Sequence, residues 1–298
     1  MIKRTLYFGS QAYLRTNTEQ MVIELSESGE IKSAPIEDIG VLILDHQQIT
    51  ITQSLIAKLL ANNVALITCD NTHHPVGLML NLDGHTLQSQ KFQCQVEASV
   101  PLKKQLWQQT VEAKLVNQAA VLKAERINNK YILNLAQKVK SGDSDNCEAQ
   151  AASYYWKYIF PDFLEFRRER YGPPPNNLLN YGYALVRAIV ARGLVASGLL
   201  PTLGIFHRNQ YNAYCLADDI MEPYRPFVDK IVCQIIRGNG RFLEMTPSMK
   251  KMLLEIPVMD VLIDGQKSPL MNAVQRTTAS LAKCFEGKGR KILYPVLE

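Results

Sequence analysis

Three groups of residues in this chain have the types and spacing to do chemistry. Glu148 stands near the start of the stretch CEAQAASYYW, among small residues that would let another helix come close. His207 is one of five histidines and closes the stretch GIFH, after breaks at Pro201 and Gly204 that make it head the next segment. An acidic knot follows in LADDIMEPYR: Asp218, Asp219 and Glu222. On a helix, Asp219 and Glu222 would share a face, as would Asp218 and Glu222. Carboxylates crowded on one face repel unless a cation lies between them. Two carboxylates and one imidazole suit Mg²⁺ or Mn²⁺, whereas structural zinc draws on more cysteine or histidine. An ion held this way can polarise a phosphodiester and activate a hydroxyl or a water. Each group also has an ordinary reading. Acids favour first helical turns. A lone histidine is commonly a satisfied core residue. Acids ahead of Pro223 and Pro226 can be a solvated turn, because those prolines limit any regular helix there.

The charge distribution says where an anionic partner would bind. The chain carries a net +5, but residues 1–95 hold 6 Lys+Arg against 9 Asp+Glu, and residues 96–298 hold 27 against 19. A polyanion would therefore meet the second part. Arg167, Arg168 and Arg170 lie between Glu148 and His207, Arg208 follows His207, and Arg225 follows the acidic knot. Aromatics interleave with them, among them Tyr154, Tyr155, Trp156, Tyr171, Tyr211 and Tyr214. Arginine contacts to phosphate and aromatic platforms for bases together fit DNA. A solvated basic surface over core aromatics would look the same. The six cysteines form no C-x-x-C pair, which argues against a zinc knuckle or a redox motif. With no secretory signal pattern and no apolar run of membrane-spanning length, the expected setting is the cytoplasm, with reduced thiols and no membrane partner.

The elements that must position these residues fall into two textures. Residues 1–90 read as a small β-rich domain. RTLYFG, AYLRTN, QMVIEL, IGVLILD, VALITCD and HPVGLMLNLDG are strand-like runs, and TQSLIAKLLANN has helical spacing ended by Asn62-Asn63. His73 and His74 read as part of a turn before Pro75. Residues 91–298 read as a larger, all-α domain that carries the chemistry. The span from Pro101 to Lys140 is rich in helix formers. SGDSDN is a polar break ahead of the helix carrying Glu148. GPPPNN is a rigid connector, LLNYGYALVRAIVARGLVASG is an apolar helix ending at Gly198, and further helices are expected near 226–237, 247–260 and 267–285. The fold class is therefore α+β.

The order of these segments resembles the CRISPR-associated spacer-acquisition integrases and endonucleases, the Cas-one family. PIEDIGVLILD, LLANNVALITCD, PVGLML, CEAQAASYYW, NNLLNYGYALVRAIVARGLVASGLLPTLGIFH and LADDIMEPYRPFVD carry the resemblance over nearly the whole chain. It implies a homodimer, a dimer of the small Cas-two protein as partner, double-stranded DNA (prespacer and repeat array) as substrate, and Mg²⁺ or Mn²⁺ as cofactor. The N-terminal domain would serve dimerisation and partner contacts. By motif position it makes Glu148, His207 and Glu222 the catalytic metal ligands and Asp219 a supporting or alternate ligand. Asn176 joins Arg167, Arg168, Arg208 and Arg225 as DNA contacts. Glu222 stands where some members carry aspartate, and Asn177 where alanine is common. MEPYRPFVD resembles members of the type II systems, which would add an RNA-guided effector nuclease to the partners. The implied reaction inserts short foreign DNA by 3′-hydroxyl transesterification. Rival readings are a structure-specific repair nuclease using water in the same site, and a non-catalytic DNA-binding scaffold.

Overall fold

A computed structural model describes residues 3–163, 166–170 and 172–298. Tyr171, one of the interleaved aromatics, lies outside them. The chain opens with β1 (Arg4–Phe8), β2 (Ala12–Asn17), β3 (Gln20–Leu25), β4 (Ile31–Pro35), β5 (Ile39–Leu44) and the short β6 (Thr50–Ile51). Helix α1 (Gln53–Ala61), β7 (Ala65–Cys69) and β8 (Pro75–Met79) complete this part. The runs read as strands are strands. The sequence reading passed over β4, whose IKSAP lacks an apolar run, and β6, which is too short to show a pattern.

One sheet has the order β1-β5-β7-β8, with β5 parallel to both neighbours and β8 antiparallel to β7. The other has the order β4-β3-β2-β6. Side chains alternate along β5. Leu42 joins Leu14, Met21, Leu55 and Leu59 in a core between this sheet, its partner sheet and α1. Val41 and Ile43 face the other way, into the core of the helices that follow. The first sheet is thus buried on both faces, which explains why IGVLIL and ALITC read as continuous apolar runs.

The helices are α2 (Gln88–Val96), α3 (Val100–Ala124), α4 (Lys130–Ala136), α5 (Cys147–Tyr158), α6 (Asn176–Ala196), α7 (Cys215–Met221), α8 (Arg225–Asn239) and α9 (Pro247–Leu254). A hairpin of β9 (Asp260–Ile263) and β10 (Gln266–Pro269) comes next, then α10 (Leu270–Phe285). The C-terminal part is therefore mostly helical rather than all-α. The helix expected over 247–260 stops at Leu254. Asp264 and Gly265 adopt positive φ angles of 51° and 72°, the backbone of a tight two-residue hairpin turn, and DVLI and QKSP pair across it. Helix α6 is long and apolar enough to cross a membrane by length and composition, yet 78% of its most apolar window is buried in the protein. It is the central core helix, and Arg192 near its C-terminal end donates to the backbone carbonyl of Asn63. All six cysteines are free.

A buried polar cluster ties the parallel strands to the helices. Asp45, just past β5, accepts from Tyr7 at 2.6 Å and from Lys250 of α9 at 2.7 Å, both on Oδ2. His73 Nδ1 donates to its other oxygen at 2.9 Å. His73 is thus more than a turn residue. Burial pushes the Asp45 carboxyl upward, but Lys250, Tyr7 and His73 outweigh it and hold the group below its ordinary value. That stability is present above the unfolded carboxylate pKa and is lost as pH falls through the lower folded one. Removing one partner of a buried ion pair strands the other charge. Lys250→Met is expected to cost about 3 kcal/mol near neutral pH, read as a lower urea midpoint with an unchanged slope. An unchanged midpoint would show that the pair contributes nothing net.

Candidate active site

The site is built around α3. Two turns separate Trp107 and Lys114 on this helix, so both face the same way. Lys114 Nζ lies 2.5 Å from Glu148 Oε1 and 2.6 Å from Glu222 Oε2. The two acids come from distant segments. Glu148 sits in the first turn of α5, which Asp143 caps by accepting from the Cys147 and Glu148 amides at 2.8 and 3.0 Å. The expected polar break therefore does cap this helix, through Asp143 rather than through Asn146 at the N-cap position. Glu222 opens the 3-10 turn Glu222–Tyr224 between α7 and α8. Asn117, three residues along the same face of α3, pins that turn by donating to the Pro223 carbonyl at 2.8 Å.

Glu222 is buried, and its two oxygens are held differently. Arg225 Nε donates to Oε1 at 2.7 Å. Among the described residues Oε2 has no aligned hydrogen bond, and the Lys114 ammonium meets it off-axis at 2.6 Å. Burial would raise the Glu222 pKa, but Arg225 and Lys114 outweigh it and keep the group well below the usual range. Burial likewise opposes the charge on Lys114, yet Glu222 and Glu148 raise its pKa. The site is thus two carboxylates gathered around one ammonium.

His207 lies in the loop between α6 and α7 rather than at the head of a helix, because the next helix begins only at Cys215. Asp219, with no exposed side-chain surface, holds that loop. Its Oδ2 accepts from the Ile205 and Phe206 amides at 2.7 and 2.9 Å. Its Oδ1 accepts from the His207 amide at 3.2 Å and from His207 Nδ1 at 2.5 Å. A side chain at Gly204 would collide with this carboxylate and with the His207 carbonyl, so the GIFH turn needs glycine there. With Nδ1 committed, Nε2 is the nitrogen left for a ligand. Four bonds occupy Asp219, which makes it the orienting group and leaves it no place as an alternate ligand. The shared helical face expected for Asp219 and Glu222 is not used, since Glu222 turns toward Lys114. Asp218 pairs with Arg187 at 2.6 Å. Trp107 stacks on Phe206 at 4.2 Å and meets the His207 ring edge-on at 5.8 Å. The charges of Glu222 and Glu148 also bear on His207, so the three segments do converge.

Among the described residues, no three His, Cys, Asp or Glu side chains lie close enough together to hold a metal ion. The carboxylates have closed on the ammonium instead. The donors still fit a small hard divalent ion: two carboxylates already gathered round one cation, one carboxylate oxygen without a hydrogen bond, and an imidazole with its second nitrogen free.

The arginines divide into two kinds. Arg168, Arg170, Arg187 and Arg225 line a cleft of about 660 Å³ between the β7–β8 turn and α6. Arg168, Tyr183 and Arg225 also border a smaller cavity of about 180 Å³ that reaches Lys114 and Glu222. Both guanidinium groups lie over the Tyr183 ring, at 5.2 and 4.6 Å, while the Tyr183 hydroxyl donates to buried Asp229. Arg225 is a partner of Glu222 and Arg168 a partner of Asn176 and Asn180, so neither is a free phosphate contact. Asn176 does not face DNA. It is fully buried, accepts from Arg168 and the Glu169 amide, and donates to the Arg167 and Pro173 carbonyls. Its role is to fold the 167–173 loop onto α6. Arg167 and Arg208 are exposed. Lys114 was missed by sequence reasoning. The signal available was a lysine in register with Trp107, Val111 and Gln118 on an otherwise buried stripe of α3.

Comparison with known proteins adds the family. The model of the CRISPR-associated protein Cas1 family matches residues 6–243. The chain belongs to the Cas1 family. It is 35% identical to the CRISPR-associated endonuclease Cas1 of Neisseria meningitidis, over 98% of this chain and 95% of that one. A second Cas1 endonuclease, from Pyrobaculum aerophilum, is 25% identical over 92% of this chain and 96% of its own. In structure the chain resembles a casposase bound to integration product, with a TM-score of 0.81 at 20% identity, covering 98% of this chain and 92% of that one. It also resembles a Cas1 protein from Thermotoga maritima, with a TM-score of 0.76 at 15% identity, covering 96% and 98%. The α+β fold is that of Cas1 proteins.

The Asp219 bond raises the His207 pKa above 6.5, against the opposing effect of burial. The stability gained is complete below the free imidazole value and drains as pH rises through the raised one. In EDTA, an NMR titration is expected to place His207 above 6.5, and Asp219→Asn to lower it. No change in the variant would separate the two side chains.

Proposed function

We propose that the protein is a metal-dependent DNA integrase and endonuclease of CRISPR adaptation. The observation that carries this reading is the convergence of Glu148 and Glu222 on one cation, beside the oriented His207 and below an arginine-lined cleft. Glu148, Glu222 and His207 Nε2 would hold Mg²⁺ or Mn²⁺. What a bound ion supplies there is Lewis acidity toward a phosphoryl oxygen and a lower pKa for the attacking hydroxyl. In the reaction, a 3′-hydroxyl of the incoming strand attacks a phosphodiester of the repeat array. A new P–O bond forms, the old one breaks, and the proton lost by the attacking hydroxyl is balanced by one gained at the departing 3′-oxygen. Asp219 keeps the imidazole in one tautomer. The exposed Arg167 and Arg208 would neutralise the backbone and hold it in line.

The neighbours in structure support the assembly we propose. One is a Cas6-RT-Cas1–Cas2 complex and another a TtCas1–DNA complex. For this chain we propose a homodimer that joins a Cas-two dimer on double-stranded DNA in the cytoplasm. MEPYRPFVD supports assignment to a type II system with an RNA-guided effector nuclease.

Glu148→Ala, His207→Ala and Glu222→Ala are each expected to cut strand transfer on branched DNA with Mn²⁺ by about a hundredfold or more, while duplex binding in a gel-shift assay persists. Full strand transfer in Glu148→Ala and His207→Ala would remove the site. Hydrolysis without joining in the wild type would make the protein a nuclease. Arg208→Gln is expected to weaken binding alike for all sequences and to flatten the slope of log K against log salt by about 0.9. An unchanged slope would place Arg208 off the DNA.

A further inference from the structure

We propose that Lys114 is the resident cation of this site: its ammonium holds Glu148 and Glu222 together while no divalent ion is bound, and yields that place when one enters. The inference rests on the metal-dependent reading above. Its first support is position. Lys114 comes from the middle of α3, so it serves no helix terminus. Its side chain is 11% exposed, and a buried ammonium is tolerated only where carboxylates repay its desolvation. Here it touches one oxygen of each acid and, among the described residues, nothing else acidic within ion-pair distance.

The second support is that the contact can be exchanged. Arg225 keeps Glu222 Oε1 through an aligned bond, whereas Oε2 meets the ammonium off-axis. A cation arriving there leaves the Arg225 bond to Glu222 intact and has to displace only the ammonium, which donates to Glu148 Oε1 and lies 2.6 Å from Glu222 Oε2. The third support is a place for the lysine to go. Gln118, one turn further along the same face of α3, lines the same cavity of about 180 Å³. Its Oε1 is buried without a hydrogen-bond partner. An orphaned acceptor beside a displaceable donor is costly unless the two meet in another state.

Charge balance gives the exchange a consequence. With Lys114 in place, the charges of Glu148, Glu222, Lys114 and Arg225 cancel. With a divalent ion in its stead, the same carboxylates and Arg225 leave an excess of positive charge. A phosphodiester is the group that neutralises it. The empty site thus carries no surplus attraction for phosphate, and the loaded one does.

The test is Mn²⁺ binding by calorimetry together with thermal melting in EDTA and in Mn²⁺, for wild type, Lys114→Met, Lys114→Arg and Glu148→Gln. Lys114→Met is expected to bind Mn²⁺ about tenfold more tightly, because no ammonium has to leave. It is expected to melt below wild type in EDTA and to recover in Mn²⁺. Lys114→Arg, which keeps a charge, is expected to melt like wild type in EDTA. If Lys114→Met folds only with Mn²⁺ present, the ion has replaced the ammonium and the proposal stands. If Mn²⁺ restores neither its melting nor its folding, or binds it equally or more weakly, the proposal falls. Wild-type binding lost in Glu148→Gln but unchanged in Lys114→Met would sink only the role of Lys114. Absence of Mn²⁺ binding in both wild type and Lys114→Met would overturn the metal reading and this proposal together.

Discussion

The site depends on one constraint: two carboxylates cannot lie side by side in a buried place without a cation between them. Glu148 and Glu222 come from segments far apart in the chain. What lets them meet is the Lys114 ammonium. Much of the surrounding structure fixes the geometry of that meeting. Asp143 caps α5 and so sets the first turn that aims Glu148. Asn117 grips the Pro223 carbonyl and so sets the turn that aims Glu222. Asn117 also accepts from the Leu297 amide and donates to the Pro295 carbonyl, so the end of the chain is laced to the same face of α3. A helix that carries Trp107, Lys114, Asn117 and Gln118 on neighbouring turns works as the beam of the site.

The histidine is held by a separate device, and the separation has a chemical meaning. Asp219 gathers three successive amides and the imidazole onto one buried carboxylate. Such a carboxylate has no capacity left for a cation, so it can fix the His207 tautomer without competing for the ion. Glu148 and Glu222 have the opposite character. Lys114 donates to Glu148 Oε1 and faces Glu222 Oε2, and an entering cation can take the place of that one ammonium at both oxygens. Two acids three residues apart in LADDIME thus do different work because one faces backbone amides and the other faces ammonium and guanidinium.

Most N-terminal strands, α1 and the helix carrying Glu148 could be read in the sequence because their apolar patterns are strong and their ends are marked by turn formers, Asn62-Asn63 and SGDSDN. The β9–β10 hairpin was not read, although Asp264-Gly265 is a two-residue hairpin signal. The flanking apolar residues favoured helix when taken alone. Glu148, His207 and Glu222 could be singled out because acids and histidine stand out in apolar surroundings, but the residues alone left the ordinary readings open and only the family resemblance joined the three. Lys114 was not singled out, because a lysine in a long helix is ordinarily solvent-facing, and only its register against Val111 and Trp107 shows otherwise. Asn176 misled for another reason. Its assignment came from motif position in the resemblance, whereas burial commits its hydrogen-bonding capacity to its own loop.

The arginines show why net charge alone locates a binding face only coarsely. Arg168 and Arg225 are counted in the basic excess of the C-terminal part, yet they stack on Tyr183 and bond to Asn176, Asn180 and Glu222. Their cost of desolvation is met inside the protein, and they shape the wall between the cleft and the carboxylates. Arg208 is exposed beside His207, and a charge in that position can exchange water and counterions for phosphate. The first kind of arginine sets where a phosphate can sit relative to the reacting groups. The second sets how strongly, and how salt-dependently, the DNA is held there. A basic cleft that works as an active site needs both, because attraction without a rigid wall gives binding in many registers, and a rigid wall without free charge gives no binding to orient.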